Sequence, residues 1–307
     1  MREQADLSGE GMGCTEGMRV GSLFGVEGKL CVVTGGGRGI GAFVAEGLAA
    51  NGAEVLVCGR DVAALEDTAA RLRRSYGAVV HVVRADLSSE AGCVALAKEV
   101  GKVYGRVDVL VNNSGTSWGG ALESYEEAAW AKVVALNVVA VFSLTRALLP
   151  LLEARRPGGD GDNAEERGAV INVGSIAGIR PQGVPTFAYD VSKAAVHHLT
   201  VKLSSELGNR WRADGTRRRV TVNALAPGYV PTRMSKGLEV FGDRESLADP
   251  ITLGRLGTPE DMAGACIYLA SRAGAWVTGT VLVVDGGWLA NVNRMFPLQR
   301  PAARAKL

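Results

Sequence analysis

Residues 30–41 read LCVVTGGGRGIG, and this stretch decides the fold. The run from Leu30 to Thr34 is short and apolar without alternation, which predicts a strand buried on both faces. The glycines that follow allow a tight turn and a close approach of the backbone to a ligand, and a helical pattern begins at Ile40. A strand, a glycine-rich turn and a helix in this order indicate a dinucleotide-binding βαβ unit, in which the helix N-terminus binds a pyrophosphate.

The same alternation of strands and helices continues along the chain. Continuous apolar runs predict seven strands, at 30–34, 54–58, 79–83, 107–111, 169–173, 220–224 and 280–284. Helical spacing predicts helices at 40–51, 62–76, 89–104, 130–152, 188–207 and 259–271. Strands that are apolar on both faces and alternate with helices form a parallel sheet covered on each side. We therefore predict an α/β fold, a single doubly wound, seven-stranded parallel sheet of the Rossmann type with helices on both faces.

One domain accounts for most of the chain. We expect a flexible N-terminal segment at 1–23, the Rossmann-type domain at 24–291 and a C-terminal tail at 292–307. Two segments interrupt the alternation, the polar stretch Arg156–Arg167, expected to be a solvated loop, and Tyr229–Leu256. Ligands bind at the carboxyl ends of the strands in such a sheet, and Tyr229–Leu256 follows the sixth strand. It is therefore the candidate substrate lid, with a plain surface excursion as the alternative.

Composition is typical of a soluble globular protein. Of the 307 residues 47% are apolar and 21% charged, and the formal net charge of +2 gives no reason to expect nucleic acid as a partner. No apolar run reaches the roughly 18 residues of a membrane span, so we expect none. The five cysteines and three histidines lack metal-ligand spacing, so we expect no metal and a reduced, cytoplasmic setting. The C-terminal Ala305-Lys306-Leu307 resembles a peroxisomal address, which is the alternative location.

The end of the second strand distinguishes the two nicotinamide cofactors. A carboxylate there binds the ribose hydroxyls of NAD, whereas an arginine accommodates the 2′-phosphate of NADP. Here the strand ends at Gly59-Arg60, and Arg38 in the glycine-rich turn supplies a second guanidinium group for bidentate phosphate binding. We therefore predict NADPH as the cofactor, with two solvated arginines as the alternative. Asp61 follows directly and is expected to cap the next helix.

A tyrosine and a lysine four residues apart form the candidate catalytic pair. Tyr189 and Lys193 would lie on one face of a helix. An ammonium group and an oxidised nicotinamide beside the phenol would lower its pKa from about 10, so that Tyr189 can protonate a carbonyl oxygen during hydride addition. Ser175 ends the fifth strand, where its hydroxyl could polarise that carbonyl, although such a serine is often only a cap. Asn137 lies in an apolar helix and needs a backbone network or a bound water as partner.

Together these motifs resemble the short-chain dehydrogenase/reductase family over roughly Leu23 to Trp288. The matching motifs are TGGGRGIG (34–41), Asp86-Leu87, Asn112-Asn113-Ser114-Gly115, Asn137, Ser175, Tyr189-x-x-x-Lys193, Pro227-Gly228 with Thr232, and Asp285-Gly286-Gly287. The resemblance implies that Asn137, Ser175, Tyr189 and Lys193 are catalytic. The cofactor-binding residues that the turn, the second strand and the resemblance predict together are Gly35, Gly37, Arg38, Gly39, Ile40, Gly41, Arg60, Asp86, Leu87, Asn113, Tyr189, Lys193, Pro227, Gly228 and Thr232.

The resemblance also implies particular roles for these residues. Asp86 would hold the adenine amino group and Asn112 would line the adenine pocket. Lys193 would bind the nicotinamide ribose, and Asn137 would hold a water in a proton relay to Lys193. The residues that would seat the nicotinamide carboxamide are Pro227, Gly228 and Thr232. The family implies the strand order 3-2-1-4-5-6-7 and a homotetramer or homodimer.

Two segments narrow the expected substrate. Residues 115–125 and 86–92 are similar to those of the 3-oxoacyl-ACP reductases named for rhamnolipid biosynthesis, which use NADPH. We therefore expect reduction of a 3-oxoacyl thioester to a 3-hydroxyacyl thioester. The alternatives are a small ketone, quinone, steroid or sugar as substrate, or a non-catalytic NADP-binding sensor. Candidate contacts for an anionic acyl carrier are Arg210, Arg212, Arg217, Arg218 and Arg219, with Arg233 and Lys236 of the lid as a second set.

Overall fold

The structure, a computed structural model, describes residues 16–154, 167–208, 210–211, 217–236 and 243–291. Nine strands are found in these ranges, and seven of them form one parallel sheet in the order β3-β2-β1-β4-β5-β8-β9. Their bounds are β1 Leu30–Thr34, β2 Glu54–Gly59, β3 Val80–Arg84, β4 Val109–Asn112, β5 Gly168–Val173, β8 Val220–Pro227 and β9 Val281–Val284. The two remaining strands, β6 Arg210–Trp211 and β7 Arg217–Arg218, form a separate antiparallel pair.

The order of the strands confirms the predicted fold. Numbered among themselves, the seven sheet strands follow the expected order 3-2-1-4-5-6-7. Strand β1 pairs with β2 on one side and with β4 on the other, and Val33 is in register with both Val57 and Val111. The direction of strand addition reverses between β1 and β4, and ligands bind at the carboxyl ends of the strands beside such a reversal. The site is therefore expected where β1 and β4 end.

Each face of the sheet carries its own apolar core, because successive residues of a strand point to opposite faces. Val33 belongs to the core formed with α2 Gly39–Ala50, α3 Val62–Tyr76 and α9 Pro259–Ala270, which includes Leu48 and Leu72. Val32 belongs to the core formed with α4 Glu90–Val103, α6 Ala140–Leu152 and α7 Phe187–Leu207. Helices on both faces bury the inner strands and leave their carboxyl ends for function.

Three further helices complete the described chain. They are α1 Val20–Phe24, α5 Glu127–Val134 and α8 Arg244–Ala248. Helix α1 crosses the predicted domain boundary at residue 24, and the ring of Phe24 lies 6.4 Å from that of Tyr268. Residues 1–15 and the tail 292–307, with its terminal tripeptide, lie outside the described residues.

Helices α5 and α6 are continuous through a π-helical turn at Ala135–Val139. The resulting helix, Glu127–Leu152, has 26 residues and contains an 18-residue window with a mean hydropathy of 1.8, so by length and composition alone it could cross a membrane. Helices α6 and α5 pack on α4 and α7 respectively, and the core helix of a globular domain passes the same test.

The polar stretch before β5 ends in a buried residue rather than a solvated one. Residues 155–166 lie outside the described residues, but Arg167 is buried. Its guanidinium group donates to the carbonyl oxygens of Leu269 at 3.3 Å and Ser271 at 2.8 Å, at the end of α9, and to the Thr221 hydroxyl. Burial lowers the pKa of Arg167 to about 10. Arg167 therefore binds the C-terminal end of α9, where a cation is favoured.

Candidate active site

The glycine-rich turn has a backbone shape that few other residues allow. Gly35 has a φ of 66°, and a Cβ built on it would lie 2.9 Å from Asn113 Nδ2. A Cβ on Gly41 would lie 2.4 Å from the carbonyl oxygen of Gly35. Arg38 is the N-cap of α2 and gives no side-chain oxygen to its first N–H groups. These N–H groups can therefore bind a phosphate, as the dinucleotide prediction requires.

Side chains at the ends of β1 and β4 hold this turn in place. The Thr34 hydroxyl accepts the backbone N–H groups of Asn113 and Ser114, both at 2.9 Å, and Asn113 Nδ2 donates to the Thr34 carbonyl oxygen at 2.8 Å. Sequence reasoning did not single out Thr34, although its position at the end of β1 was visible. Asn113 thus lies against the predicted cofactor turn.

Asn112 was expected to line the adenine pocket, but its side chain lies in the interior of the protein. Its side chain is buried, and Nδ2 donates to Thr145 Oγ1 at 3.1 Å and to Asn172 Oδ1 at 2.9 Å. Asn172 Nδ2 in turn donates to Thr200 Oγ1 at 2.9 Å. This polar network joins β4 and β5 to helices α6 and α7 beneath the site. The sequence pattern could not separate Asn112 from Asn113, because adjacent residues of one motif point in different directions.

The two predicted phosphate-binding arginines lie near different carboxylates. Arg38 forms an ion pair with Asp61 at 2.6 Å, and both side chains are about half exposed. Asp61 also accepts the Ala64 N–H at 3.1 Å, which confirms its role as a helix cap; this hydrogen bond and then the charge of Arg38 lower its pKa. The charge of the exposed Arg60 contributes to the lowered pKa of Asp86, whose main cause is the hydrogen bond from the Ser88 N–H. Arg60 therefore lies near the predicted adenine-binding carboxylate.

Leu87 and the beginning of the lid reach the same edge of the sheet. The Leu87 side chain is buried in the core, so only its backbone is available to a cofactor. A Cβ built on Gly39 would lie 3.2 Å from Thr232 Cγ2, which places Thr232 against the glycine-rich turn. Thr232 is fixed by Ser235, whose Oγ accepts the Thr232 N–H at 2.8 Å. Gly228 donates its N–H to the Val284 carbonyl oxygen at 2.9 Å, which fixes the segment that begins at Pro227.

The predicted catalytic lysine is buried beside the tyrosine. Lys193 is 6% exposed; Nζ donates to the Val173 carbonyl oxygen at 2.7 Å and lies 5.5 Å from the centroid of the Tyr189 ring. Burial lowers the pKa of Lys193 to about 8. Ser175 follows β5, where its Oγ accepts the Ala177 N–H at 3.1 Å, and its hydroxyl lies close enough to Tyr189 to lower the pKa of the phenol. The serine, tyrosine and lysine therefore meet at the carboxyl end of β5.

The surroundings change the pKa of Tyr189 in the direction opposite to the one expected. Burial raises this pKa, the hydrogen bond with Ser175 lowers it, and the charge of Asp190 raises it further. The protein's own groups therefore keep Tyr189 protonated at neutral pH, as a proton donor requires.

Asn137 occupies the π-helical turn, where it joins two parts of the site. Its Nδ2 donates to the Thr116 carbonyl oxygen and to Ser192 Oγ, both at 2.9 Å, and its Oδ1 accepts the Thr116 N–H at 2.8 Å. Ser192 Oγ donates to the Tyr189 carbonyl oxygen at 2.7 Å. Both amide hydrogens of Asn137 are therefore bound by protein, so the backbone network is the partner found. Sequence reasoning missed Thr116 and Ser192.

The loop after β4 is tied to the beginning of α7. The Tyr125 hydroxyl accepts the Ala188 N–H at 3.3 Å and donates to the Trp118 carbonyl oxygen at 3.0 Å. The Tyr125 ring lies edge-on to Phe187 at 5.2 Å, and the Gly120 N–H donates to the Pro185 carbonyl oxygen at 3.1 Å. These contacts place the loop beside Tyr189.

The basic residues predicted to contact an anionic acyl carrier lie in different parts of the chain. Arg210 and Arg219 are exposed. Arg212 lies outside the described residues, as do the side chains of Arg217 and Arg218. In the lid, Arg233 and Lys236 are exposed, and the charge of Arg233 contributes to the lowered pKa of Asp61. Arg233 therefore lies on the side of the predicted cofactor phosphate.

Comparison with known proteins supports the same interpretation. A family model described as enoyl-(acyl carrier protein) reductase matches residues 35–289. The rhamnolipids biosynthesis 3-oxoacyl-[acyl-carrier-protein] reductase of Pseudomonas aeruginosa is 46% identical over 268 residues, 86% of this chain and 98% of the relative. The galactitol 2-dehydrogenase of Rhizobium johnstonii is 38% identical over 271 residues, which cover 86% of this chain and 96% of the relative. A solved Pseudomonas aeruginosa RhlG/NADP active-site complex is 45% identical, with a TM-score of 0.76 over 87% of this chain and 98% of that one.

Proposed function

The chain belongs to the short-chain dehydrogenase/reductase family, and from this premise we propose that it is an NADPH-dependent reductase of 3-oxoacyl thioesters. The observation that carries the proposal is the meeting of Ser175, Tyr189 and Lys193 at the carboxyl end of β5, in the sheet whose first strand leads into the glycine-rich turn. Among the similar proteins named above, the one with the higher identity over nearly its full length is a 3-oxoacyl reductase.

Each residue of the site has its own part in the proposed reduction of the carbonyl group. When bound, NADPH would supply the hydride for the carbonyl carbon. Tyr189 donates its phenolic proton to the carbonyl oxygen, so that the ketone becomes an alcohol. The Ser175 hydroxyl, which lies beside the phenol, orients that oxygen, and the buried cation of Lys193 favours the phenolate left after proton transfer. Asn137 positions the turn of α7 that carries Tyr189 and Ser192.

The preference for NADPH is supported by charge. Arg60 is exposed directly after β2, and the guanidinium group of Arg38 pairs with Asp61 at the same strand end, where the 2′-phosphate is recognised in this fold. The free N–H groups of α2 and the residues Gly228 and Thr232 line the same edge. The similar solved structure from Pseudomonas aeruginosa is a complex with NADP.

Acetoacetyl-CoA reduction by the purified protein tests the proposal. We expect oxidation of NADPH, followed by absorbance, to be much faster than oxidation of NADH. Tyr189→Phe should abolish turnover while NADPH still binds, and Tyr268→Phe, a distant tyrosine on α9, should leave both unchanged. Equal rates with NADH would contradict the role of Arg60. Full activity of Tyr189→Phe would contradict the mechanism.

A polyol or sugar substrate is the second candidate, because one named relative is a galactitol dehydrogenase. NADP⁺-dependent oxidation of galactitol without reduction of acetoacetyl-CoA would favour it. Binding of NADPH without turnover of either substrate would favour the non-catalytic sensor. The Lys193 and Tyr189 arrangement argues against a sensor, since binding a nucleotide does not require a buried proton donor.

Assembly and location are part of the proposal. We expect a homotetramer or homodimer, as the family implies, which light scattering of the purified protein would decide. We expect a cytoplasmic enzyme, since the cysteines in the described part of the chain are free thiols and the acyl-reductase relative is bacterial. The bacterial relatives give no support to a peroxisomal address. Basic residues such as Arg210 and Arg219 remain the predicted contacts for an anionic carrier.

A further inference from the structure

One buried histidine beside the site has no part in the reaction described above. His197 lies on α7 one turn beyond Lys193, so Tyr189, Lys193 and His197 follow each other along one face of the helix. The His197 side chain is buried, whereas its neighbour His198 is exposed. A buried imidazole is costly unless its nitrogens find partners, so its contacts show what it does.

The His197 ring packs against the loop that carries Ser175. A Cβ built on Gly174 would lie 2.2 Å from His197 Nε2, so the ring occupies the space that any larger residue at 174 would need. Nε2 accepts the Ser175 backbone N–H at 3.4 Å. At the other end of this loop, a Cβ on Gly178 would lie 2.5 Å from the carbonyl carbon of Lys193. The loop 174–178 is therefore seated on α7 at two points, and His197 forms one of them.

His197 has the protonation state that an acceptor needs. Burial, and then the charge of Lys193, lower its pKa to about 4, while a hydrogen bond with the Gly178 backbone acts in the opposite direction. The imidazole is therefore neutral at physiological pH. A neutral ring that accepts at Nε2 carries its proton at Nδ1.

We propose that His197 is a positioning residue that holds the Ser175 backbone, and through it the Ser175 hydroxyl, in the direction required at the Tyr189 phenol. This inference rests on the proposed function, in which Ser175 orients the substrate carbonyl. The Ala177 N–H binds Ser175 Oγ from the other side at 3.1 Å, so the backbone and the side chain of Ser175 are each fixed by one contact. Loss of the His197 contact frees the backbone and leaves the hydroxyl misdirected.

Four substitutions test the proposal by acetoacetyl-CoA reduction. His197→Met fills the space without an acceptor, His197→Gln carries an oxygen at about the reach of Nε2, and His197→Asn carries one closer to the helix. His198→Met is the matched control. We expect His197→Met and His197→Asn to lower kcat by about tenfold or more, since a displacement of about 1 Å can cost up to 100-fold. His197→Gln should recover most of the rate, and the Kd for NADPH, measured by fluorescence titration, should stay unchanged in all four.

Two further measurements separate positioning from a merely structural role. In a Ser175→Ala background, His197→Met should change kcat by less than about twofold, because residues that act as a unit are not additive. Hydrogen exchange of the peptide that contains 174–178 should be faster in His197→Met and His197→Asn but not in His197→Gln or His198→Met. Independent, multiplying effects of His197→Met and Ser175→Ala, or equal behaviour of the Gln and Asn variants, would overturn the proposal. Absence of wild-type turnover with the expected exchange pattern would refute the proposed function and leave the placement of Ser175 by His197 supported.

Discussion

Replacement of Asn137 by alanine tests how the π-helical turn supports the site. The side chain is 2% exposed and makes three hydrogen bonds, two to the Thr116 backbone and one to Ser192 Oγ. A neutral hydrogen bond contributes about 1 kcal/mol net, so the loss of three predicts a fall of about 3 kcal/mol in the free energy of unfolding. The same change releases the loop at Thr116 and the turn before Lys193. We expect kcat to fall by about 10- to 100-fold, because small displacements at a reacting centre reduce the rate by this much.

Asn112→Ala is the matched control for that prediction. Asn112 is also buried, and its amide makes two hydrogen bonds, to Thr145 and Asn172, outside the reacting groups. By the same reasoning its replacement costs about 2 kcal/mol of stability. Urea unfolding gives the two stability changes, and acetoacetyl-CoA reduction, normalised to folded protein, gives the two rates. If Asn137→Ala and Asn112→Ala have equal kcat values, the connection from Asn137 through Ser192 to Tyr189 is not functional and the reasoning is wrong.

Three more predictions concern charge, packing and pH. Asp61→Asn keeps a good helix cap but removes the charge that pairs with Arg38. NADPH should therefore bind about threefold more tightly, as measured by fluorescence titration. An unchanged Kd would show that the ion pair does not compete with the phosphate. Gly174→Ala places a Cβ 2.2 Å from His197 Nε2 and should lower the free energy of unfolding, measured in urea, by about 1–3 kcal/mol. If the variant is as stable as the wild type, the His197 ring moves aside freely and the packing argument is wrong. The free energy of unfolding of the wild type should rise from pH 8 towards pH 10.5, because over this range Lys193 is protonated in the unfolded chain but deprotonated when buried in the folded one. Lys193→Met should not show this rise in urea unfolding.

The interior of the fold could be read from the sequence with little error. The strand bounds agree within two residues except at β8, which extends to Pro227, because continuous apolar runs buried on both faces have few alternative structures. The glycine-rich turn and the spacing of Tyr189 and Lys193 are equally local. Each of these patterns depends on residues close together in the chain, so no knowledge of the tertiary structure is needed to recognise it.

Other properties of the site were decided only by tertiary structure. Asn112 enters an interior network while Asn113 binds the turn, and Arg167, at the end of a polar stretch, is buried at the end of α9. Burial raises the pKa of Tyr189 where the sequence predicted a lowered one, and His197 contacts a loop more than 20 residues away in the chain. Hydrogen-bond partners and desolvation are set by groups brought together from distant segments, and the local pattern of apolar and polar residues carries no information about which groups those are.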